Sequence, residues 1–458
     1  MPEVVLPAEE LTHVHLVGVG GAGLSAIARL LRQRGVRVSG SDQNESAVTR
    51  ALAAEGVEVR LGHRAENIVG ADTVVVSTAV REDNPEVIAA REAGVRLWPR
   101  SAGLQSLLIG QRVVAVAGTH GKTTTTAMVV SALRAAGLDP TFAIGAEVET
   151  LGTNARWGSD DVAVVEADES DGAFLVYEPE IGVVTNVDPD HLDHWGSTEA
   201  YAAAFEQFAR RCATVVVASA DDERARALPG AFTAGLAEEA DLRGLDLRVD
   251  AAGTSFRVRS DEDDLGTVRL AVTGEHYAQD ALLALAVGRK LGADWDGLVV
   301  GLGRHQGAKR RMEFLGEEGG VRVYDSYAHH PTEIAADLAA ARALADGSRL
   351  VVAYQPHLVS RTRIFGEAMG VALSAADEVV VADVYLARED PDPAVTSQLV
   401  VDAVDGPPAS AGGPVDGLDA VLDERVAPGD LVLTLGAGDI TTVGPRLLAR
   451  RAGRSADG

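Results

Sequence analysis

The chain has 458 residues, 46% of them hydrophobic and 24% charged, with 41 Lys and Arg against 68 Asp and Glu for a net charge of −27. Such a length exceeds one hydrophobic core and predicts about three domains, and the composition argues against a disordered chain. The acidic balance, with no offsetting basic run, argues against nucleic acid or an anionic membrane surface as a partner.

The opening "MPEVVLPAEELTHVHLVGVGGAG" lacks a basic leader followed by an apolar core, and no window reaches the ~18 apolar residues of a membrane span. Neither secretion nor membrane insertion is expected. Cys212 is the only cysteine, which excludes an intramolecular disulfide and fits a reducing cytoplasm.

Strand-like apolar runs alternate with helical segments along the chain, beginning with "HVHLVGVG", "VRVSGSD" and "DTVVVSTAV" and continuing with "RVVAVAG", "DVAVVEAD", "IGVVTNVD" and "TVVVASAD". This βαβ alternation predicts an α/β fold of parallel sheets covered by helices on both faces. A first boundary is placed near Ser101 to Gln111 and a second in "GLGRHQGAKRR", giving domains at 1–110, 111–308 and 309–458. Within the middle domain, "TSFRVRS" and "LGTVRLAV" flank the acidic turn "DEDD" as a β-hairpin. The third domain repeats the α/β pattern with "VRVYDSY", "RLVVAYQP", "DEVVVADVY" and "DLVLTLGAGDI"; "DGPPASAGGP" reads as a surface loop and "RAGRSADG" as a frayed tail.

Two strand-to-helix turns are glycine-rich. "GVGGAGLS" fits G-x-G-x-x-G at Gly18, Gly20 and Gly23, with Asp42 ending the next strand. NAD binding is one reading, but the same geometry holds the pyrophosphate of any nucleotide diphosphate. The second turn, Gly118-Thr119-His120-Gly121-Lys122-Thr123, supplies glycines for close backbone approach, amides at a helix start and a lysine for terminal phosphates. A strict P-loop has a glycine where Val116 stands.

Strand ends beside this loop are acidic or polar. "VVEADESDGAF" delivers Glu166, Asp168, Glu169 and Asp171 to the carboxyl edge of a parallel sheet, where ligands of such sheets bind. Glu166 and the Thr123 hydroxyl are candidate Mg²⁺ ligands, since Mg²⁺ takes hard oxygens; for Asp171 a solvated loop is the preferred reading. "VVTNVDPDHLDHWG" adds Asn186, Asp190, His191 and His194, although imidazole is not a favoured Mg²⁺ ligand. Together these segments describe a site for ATP, Mg²⁺ and an acceptor.

The ordered series "GVGGAGLSAIA", "GSD", "STAVREDNPE", "AGTHGKTTTTAM", "EADESDGAF", "TNVDPDHLDHWG", "YDSYAHHPTEI", "QPH" with "SRT", and "GAGDI" resembles the Mur ligase family, and within it the branch that joins L-alanine to UDP-N-acetylmuramate. The resemblance spans nearly the whole chain. It implies an N-terminal Rossmann-like UDP-sugar domain, a central P-loop ATPase and a C-terminal Rossmann-like domain that brings the amino acid. ATP would then be spent on an amide bond through an acyl phosphate, in cytoplasmic peptidoglycan precursor synthesis, by a monomer or weak homodimer.

By the same resemblance, Lys122, Glu166, His191, Arg311 and Asp325 are the catalytic set, and Thr123, Glu166 and His191 hold metal. ATP is expected on Gly118, Thr119, His120, Gly121, Lys122, Thr123, Thr124, Tyr277 and Asp280. UDP-N-acetylmuramate is expected on Gly18, Gly20, Gly21, Gly23, Ser41, Asp42, His63, Asp168, Glu169, Ser170 and Asn186. Alanine is expected on Tyr327, His329, His330, His357 and Arg361, with the histidines as candidate acceptors of the ammonium proton and Arg361 as carboxylate anchor. The chain departs from the family pattern at Tyr277 and Asp280, where asparagines are common, at Ser326, where a second aspartate is usual, and at Leu358, where arginine is frequent. A murein-peptide recycling ligase, an NAD-dependent oxidoreductase and a P-loop ATPase acting on a macromolecule are the alternatives.

Overall fold

The computed structural model describes residues 4–77, 80–261, 263–387 and 389–456. Three sheets organise the chain. The first has five parallel strands, β1 (His13–Val17), β2 (Arg37–Asp42), β3 (Glu58–Leu61), β4 (Thr73–Val76) and β5 (Arg96–Pro99), in the order β3-β2-β1-β4-β5. The helix Ala22–Gln33 follows β1 and buries Leu24, Ile27, Leu30 and Leu31.

The second sheet has ten strands: β6 (Arg112–Ala117), β7 (Thr141–Val148), β8 (Thr153–Arg156), β9 (Val162–Glu166), β10 (Ile181–Val184), β11 (Val215–Ser219), β12 (Ala231–Gly235), β13 (Leu242–Asp250), β14 (Gly253–Ser260) and β15 (Asp263–Leu270). Their order is β15-β14-β13-β12-β11-β10-β6-β9-β7-β8. β6 lies between β9 and β10 and is apolar from Val113 to Ala117, because both faces of a central parallel strand are covered. Its register sets Val116 beside Glu166 and Ala117 beside Val184, so three strands end on one edge. The expected hairpin is present as the neighbours β14 and β15, with Glu262 of its turn outside the described residues.

The third sheet has β16 (Glu313–Glu318), β17 (Val321–Ser326), β18 (Leu350–Tyr354), β19 (Glu378–Ala382), β20 (Ala409–Gly413) and β21 (Leu431–Leu435), in the order β16-β17-β21-β18-β19-β20, with only β16 antiparallel among these pairings. Two sequence expectations fail here. "DGPPASAGGP" is not a plain loop, since Ala409–Gly413 pairs in parallel with β19 as an edge strand. Crowding requires one of its glycines: a Cβ on Gly412 would stand 2.7 Å from Val380 and 2.6 Å from Leu418. Nor is "RAGRSADG" frayed throughout, because the last helix runs Val443–Ala456. Arg450 and Arg451 anchor it to Asp419 and Asp423 at 2.9 and 3.1 Å.

The chain divides into two compact units. Unit 1 comprises 1–244, 258–266 and 279–305, and unit 2 comprises 245–257, 267–278 and 306–458. The first sheet and the core of the second therefore share one unit. Among the described residues no helix is long and apolar enough to cross a membrane.

Candidate active site

The turn after β6 has the conformation that its glycines permit. Gly118 has φ 139° and Gly121 has φ 78°, left-handed backbone that a side chain resists, and the helix Lys122–Ala135 begins directly afterwards. A Cβ on Gly118 would collide with Thr185 at the end of β10. The loop is clamped from the neighbouring strand: the His120 amide donates to Asn186 Oδ1 at 2.9 Å, and Asn186 Nδ2 donates back to the His120 carbonyl at 3.1 Å. Thr119 Oγ1 meets the Asp188 carbonyl at 2.7 Å and the Tyr201 hydroxyl at 2.8 Å. Asn186, expected on the UDP-sugar, lies against the phosphate loop through these two bonds.

Lys122 Nζ donates to the Gly118 and Thr119 carbonyls at 2.6 and 3.0 Å and lies 2.8 Å from Glu169 Oε2. Burial opposes its charge, but the carboxylates of Glu169 and Asp168 hold its pKa above the ordinary value. Burial pushes Glu169 upward, with the Lys122 ammonium opposing. Thr123 Oγ1 donates to both Glu166 oxygens at 3.1 Å, and the Gly145 amide donates to Glu166 Oε2 at 2.7 Å. A hydroxyl at a helix start and a carboxylate at a strand end, both hard oxygen donors, form a set that fits Mg²⁺. His191, in left-handed backbone at φ 52°, places Nε2 3.6 Å from Asp190 and 3.9 Å from Glu169. Thr124 is buried in the first turn, and Asp280 accepts from Thr125 at 2.8 Å beside Gly121.

The G-x-G-x-x-G turn also forms a helix start, with Gly21 capping Ala22–Gln33 and Gly18 at φ 87°. Asp42 accepts from the Gly20 amide at 2.9 Å. Ser41 Oγ lies 3.1 Å from His63 Nδ1 and donates to buried Glu86 at 2.6 Å. Gly23 abuts Arg100, whose guanidinium donates to Asp168 at 2.7 Å and holds that carboxyl well below the usual range against the opposing effect of burial. Asp168 also takes the Ser170 amide at 3.0 Å. Arg100 and Glu86 were not singled out by sequence. Glu86 ends the quoted "STAVREDNPE", whose Thr78 and Ala79 lie outside the described residues, while Arg100 lies in no quoted motif.

Unit 2 collects the residues expected to handle alanine. His329 Nδ1 meets the Tyr327 carbonyl at 3.0 Å and Glu333 at 3.4 Å. His330 caps the helix Pro331–Ala345 and packs edge-on to Phe365. His357 stacks on Tyr385 and lies 3.5 Å from buried Arg361. Arg311 reaches Glu333 at 3.6 Å, and the Tyr277 hydroxyl donates to the Arg311 carbonyl at 3.1 Å. Asp325 is wholly buried and accepts from Thr434, Thr441 and Arg310 at 2.5, 2.8 and 3.2 Å. Arg310, its neighbour in sequence to Arg311, was not anticipated in this role.

A glycine loop at the carboxyl edge of a parallel sheet, with lysine, threonine and carboxylates converging on it, defines a nucleotide-triphosphate-binding α/β protein. Three family descriptions match in succession: "Mur ligase family, catalytic domain" over residues 13–112, "Mur ligase middle domain" over 116–288 and "Mur ligase, glutamate ligase domain" over 310–438. The chain belongs to the Mur ligase family. It is 57% identical over 455 residues to a UDP-N-acetylmuramate–L-alanine ligase of Nocardioides sp., covering 98% of both chains, and 49% identical to the ligase of that name from Saccharopolyspora erythraea, covering 96% of this chain and 93% of the relative. The crystal structure of UDP-N-acetylmuramate-alanine ligase from Thermotoga maritima is similar with a TM-score of 0.84 at 29% identity, over 97% of this chain and 100% of that one.

Proposed function

We propose that this protein is an ATP-dependent ligase that joins the lactyl carboxylate of UDP-N-acetylmuramate to the amine of L-alanine in peptidoglycan precursor synthesis. The carrying observation is the clustering at one sheet edge of Lys122, the Thr123–Glu166 oxygen pair and His191. Full-length relatives bearing that activity support the same reading.

The lactyl carboxylate attacks the γ-phosphorus of ATP, ADP leaves, and an acyl phosphate remains. The alanine amine then attacks the acyl carbon, and phosphate departs from the tetrahedral intermediate. The first step drives an anion onto a polyanion, so charge neutralisation is the main demand. Lys122 supplies a fixed ammonium, and the γ-phosphate is a stronger partner for it than the loop carbonyls it now meets. Thr123 and Glu166, with His191 at a second position, would hold Mg²⁺, whose chemistry is to screen the phosphate oxygens. Gly118–Thr124 wraps the phosphates with Asp280 behind the loop, and Tyr277 is assigned to the nucleotide.

Gly18, Gly20, Gly21, Gly23, Ser41, Asp42 and His63 are assigned to the uridine diphosphate, and Asp168, Glu169, Ser170 and Asn186 to the sugar. Tyr327, His329, His330, His357 and Arg361 are assigned to alanine, Arg311 to the transferring phosphate and Asp325 to the nucleotide ribose. The domains run 1–110, 111–308 and 309–458, and the enzyme acts in the cytoplasm as a monomer or weak homodimer.

The test is phosphate release with UDP-N-acetylmuramate and ATP across amino acids and short peptides. Release that depends on the UDP-sugar and is supported by L-alanine is expected. Preference for a tripeptide would transfer the assignment to a recycling ligase, and nicotinamide reduction without phosphate release would overturn it.

A further inference from the structure

Behind Ser41 and His63 the first sheet buries a polar cluster centred on Glu86, to which the reaction above gives no role. Glu86 is 0% exposed, yet it is surrounded by donors on every side. Its Oε1 accepts from Asn67 Nδ2 and the Arg64 amide; its Oε2 accepts from Ser41 Oγ at 2.6 Å and lies 3.4 Å from His63 Nδ1 and 3.6 Å from His15 Nε2. His15 and His13 meet in turn at Ser39, at 2.8 and 2.9 Å. Burial works to raise the Glu86 pKa, but the contacts from His15, Ser41 and Asn67 hold it at about 2, so the group is an anion at any working pH. A buried anion is costly and has no place in a core that needs only volume.

The proton inventory of this cluster is determined. Ser41 has one hydroxyl proton, and at 2.6 Å it goes to the carboxylate, which can only accept. Ser41 Oγ can therefore only accept from His63 Nδ1 at 3.1 Å, and the second neighbour of that nitrogen, Glu86 Oε2, also only accepts. Nδ1 must carry hydrogen. In the neutral ring Nε2 is then left with a lone pair.

We infer that Glu86 is a positioning residue for the UDP-sugar: it fixes His63 in the Nδ1–H tautomer and aims the Ser41 hydroxyl inward, so that the site offers the nucleotide an acceptor at His63 Nε2. The ligand group that suits it is an N–H or O–H donor of the uridine moiety. This rests on the assignment of the first domain to the UDP-sugar.

Glu86→Gln tests it, because the glutamine oxygen can keep the Asn67 and Arg64 donors while its NH₂ faces Ser41 and His63, frees the Ser41 hydroxyl proton to turn to Nδ1 and so favours Nδ1 as acceptor. In histidine-¹⁵N-labelled protein, long-range ¹⁵N–¹H spectra are expected to show His63 as Nδ1–H in the wild type and Nε2–H in the variant. KM for UDP-N-acetylmuramate is expected to rise about tenfold, with kcat and the KM values for ATP and alanine changed by less than about twofold. A wild-type His63 in the Nε2–H form overturns the inference with no variant needed, and so does an unchanged UDP-sugar KM in folded Glu86→Gln protein. Wild-type protein that shows the Nδ1–H tautomer but binds no UDP-N-acetylmuramate in calorimetry refutes the functional assignment instead.

Discussion

Lys122 is the residue on which phosphoryl transfer depends, and its surroundings say how its loss should read out. Its ammonium bonds two carbonyls of its own loop and one buried carboxylate, so truncation removes the cation and leaves Glu169 buried beside it. Lys122→Ala is expected to lower ADP release by about 10³-fold or more, as loss of a transition-state cation does. Affinity for UDP, whose contacts are assigned to the turns of the first sheet, is expected to change less than about twofold in calorimetry; loss of both together would contradict the assignment of separate nucleotide sites. His305 poses a different problem. It is wholly buried, and among the described residues neither ring nitrogen has a hydrogen-bond partner. Burial pushes its pKa down to about 4 from 6.5. The unfolded chain thus takes up a proton below about pH 6.5 that the folded chain refuses until about pH 4, and stability falls as pH drops through that window. His305→Leu removes this loss. Relative to wild type, the variant should gain about 2 kcal/mol in urea unfolding at pH 5 over its difference at pH 7.5. An equal difference at both pH values would show that the imidazole is not held neutral.

At the scale of elements, the position of the phosphate loop depends on how closely two helices approach. The helix Trp295–Gly303 packs on Lys122–Ala135 through Gly297 and Gly301: a Cβ on Gly301 would stand 2.4 Å from the Ser131 carbonyl and 2.6 Å from Ala132 Cα, and one on Gly297 2.5 Å from Ala136 Cα. These contacts are with backbone, which cannot step aside. Gly301→Ala should cost about 3 kcal/mol and raise KM for ATP, because the shifted helix carries the loop at its start; Val300→Ala, on the exposed side, should be near neutral. Thermal unfolding and ATP kinetics of the pair check this, and equal behaviour would refute it. The loop itself was legible in sequence because its chemistry is local: strand, glycines, lysine and threonine are consecutive. The places of Glu166 and His191 were legible because strand ends of a parallel sheet share an edge, whereas the metal role of His191 came only from the family resemblance. Glu86, Arg100 and Arg310 were not, since each acts on a residue distant in sequence, as Arg100 does on Asp168. The edge strand Ala409–Gly413 was missed because its side chains are small and its pairing is entirely backbone.

At the scale of the molecule, the division into two compact units separates what the sequence alone read as three domains, and the only cysteine reports on one of them. Cys212 lies in unit 1, at the end of the helix Thr198–Arg211; its thiol donates to the Phe208 carbonyl at 3.4 Å and packs against Gly182 of β10. Burial pushes the thiol up to about 12. Since the thiolate is the reactive form, the folded thiol should be at least about 10³-fold less reactive at pH 8 than that of the unfolded chain, and its packing on Gly182 restricts reagent access further, so alkylation should proceed through opening of unit 1. The phosphate loop Gly118–Thr124 and the glycine turn Gly18–Gly23 both belong to that unit. ATP at 100 times its Kd should therefore slow labelling by about 100-fold, and UDP-N-acetylmuramate at the same ratio likewise, because each binds the closed form only. Alanine alone, assigned to residues of unit 2, should leave the rate unchanged. Mass spectrometry of iodoacetamide-treated samples follows all three. Labelling that neither nucleotide slows would mean that Cys212 is reached by a local movement of its helix end. Equal slowing by alanine would mean that the two units open as one.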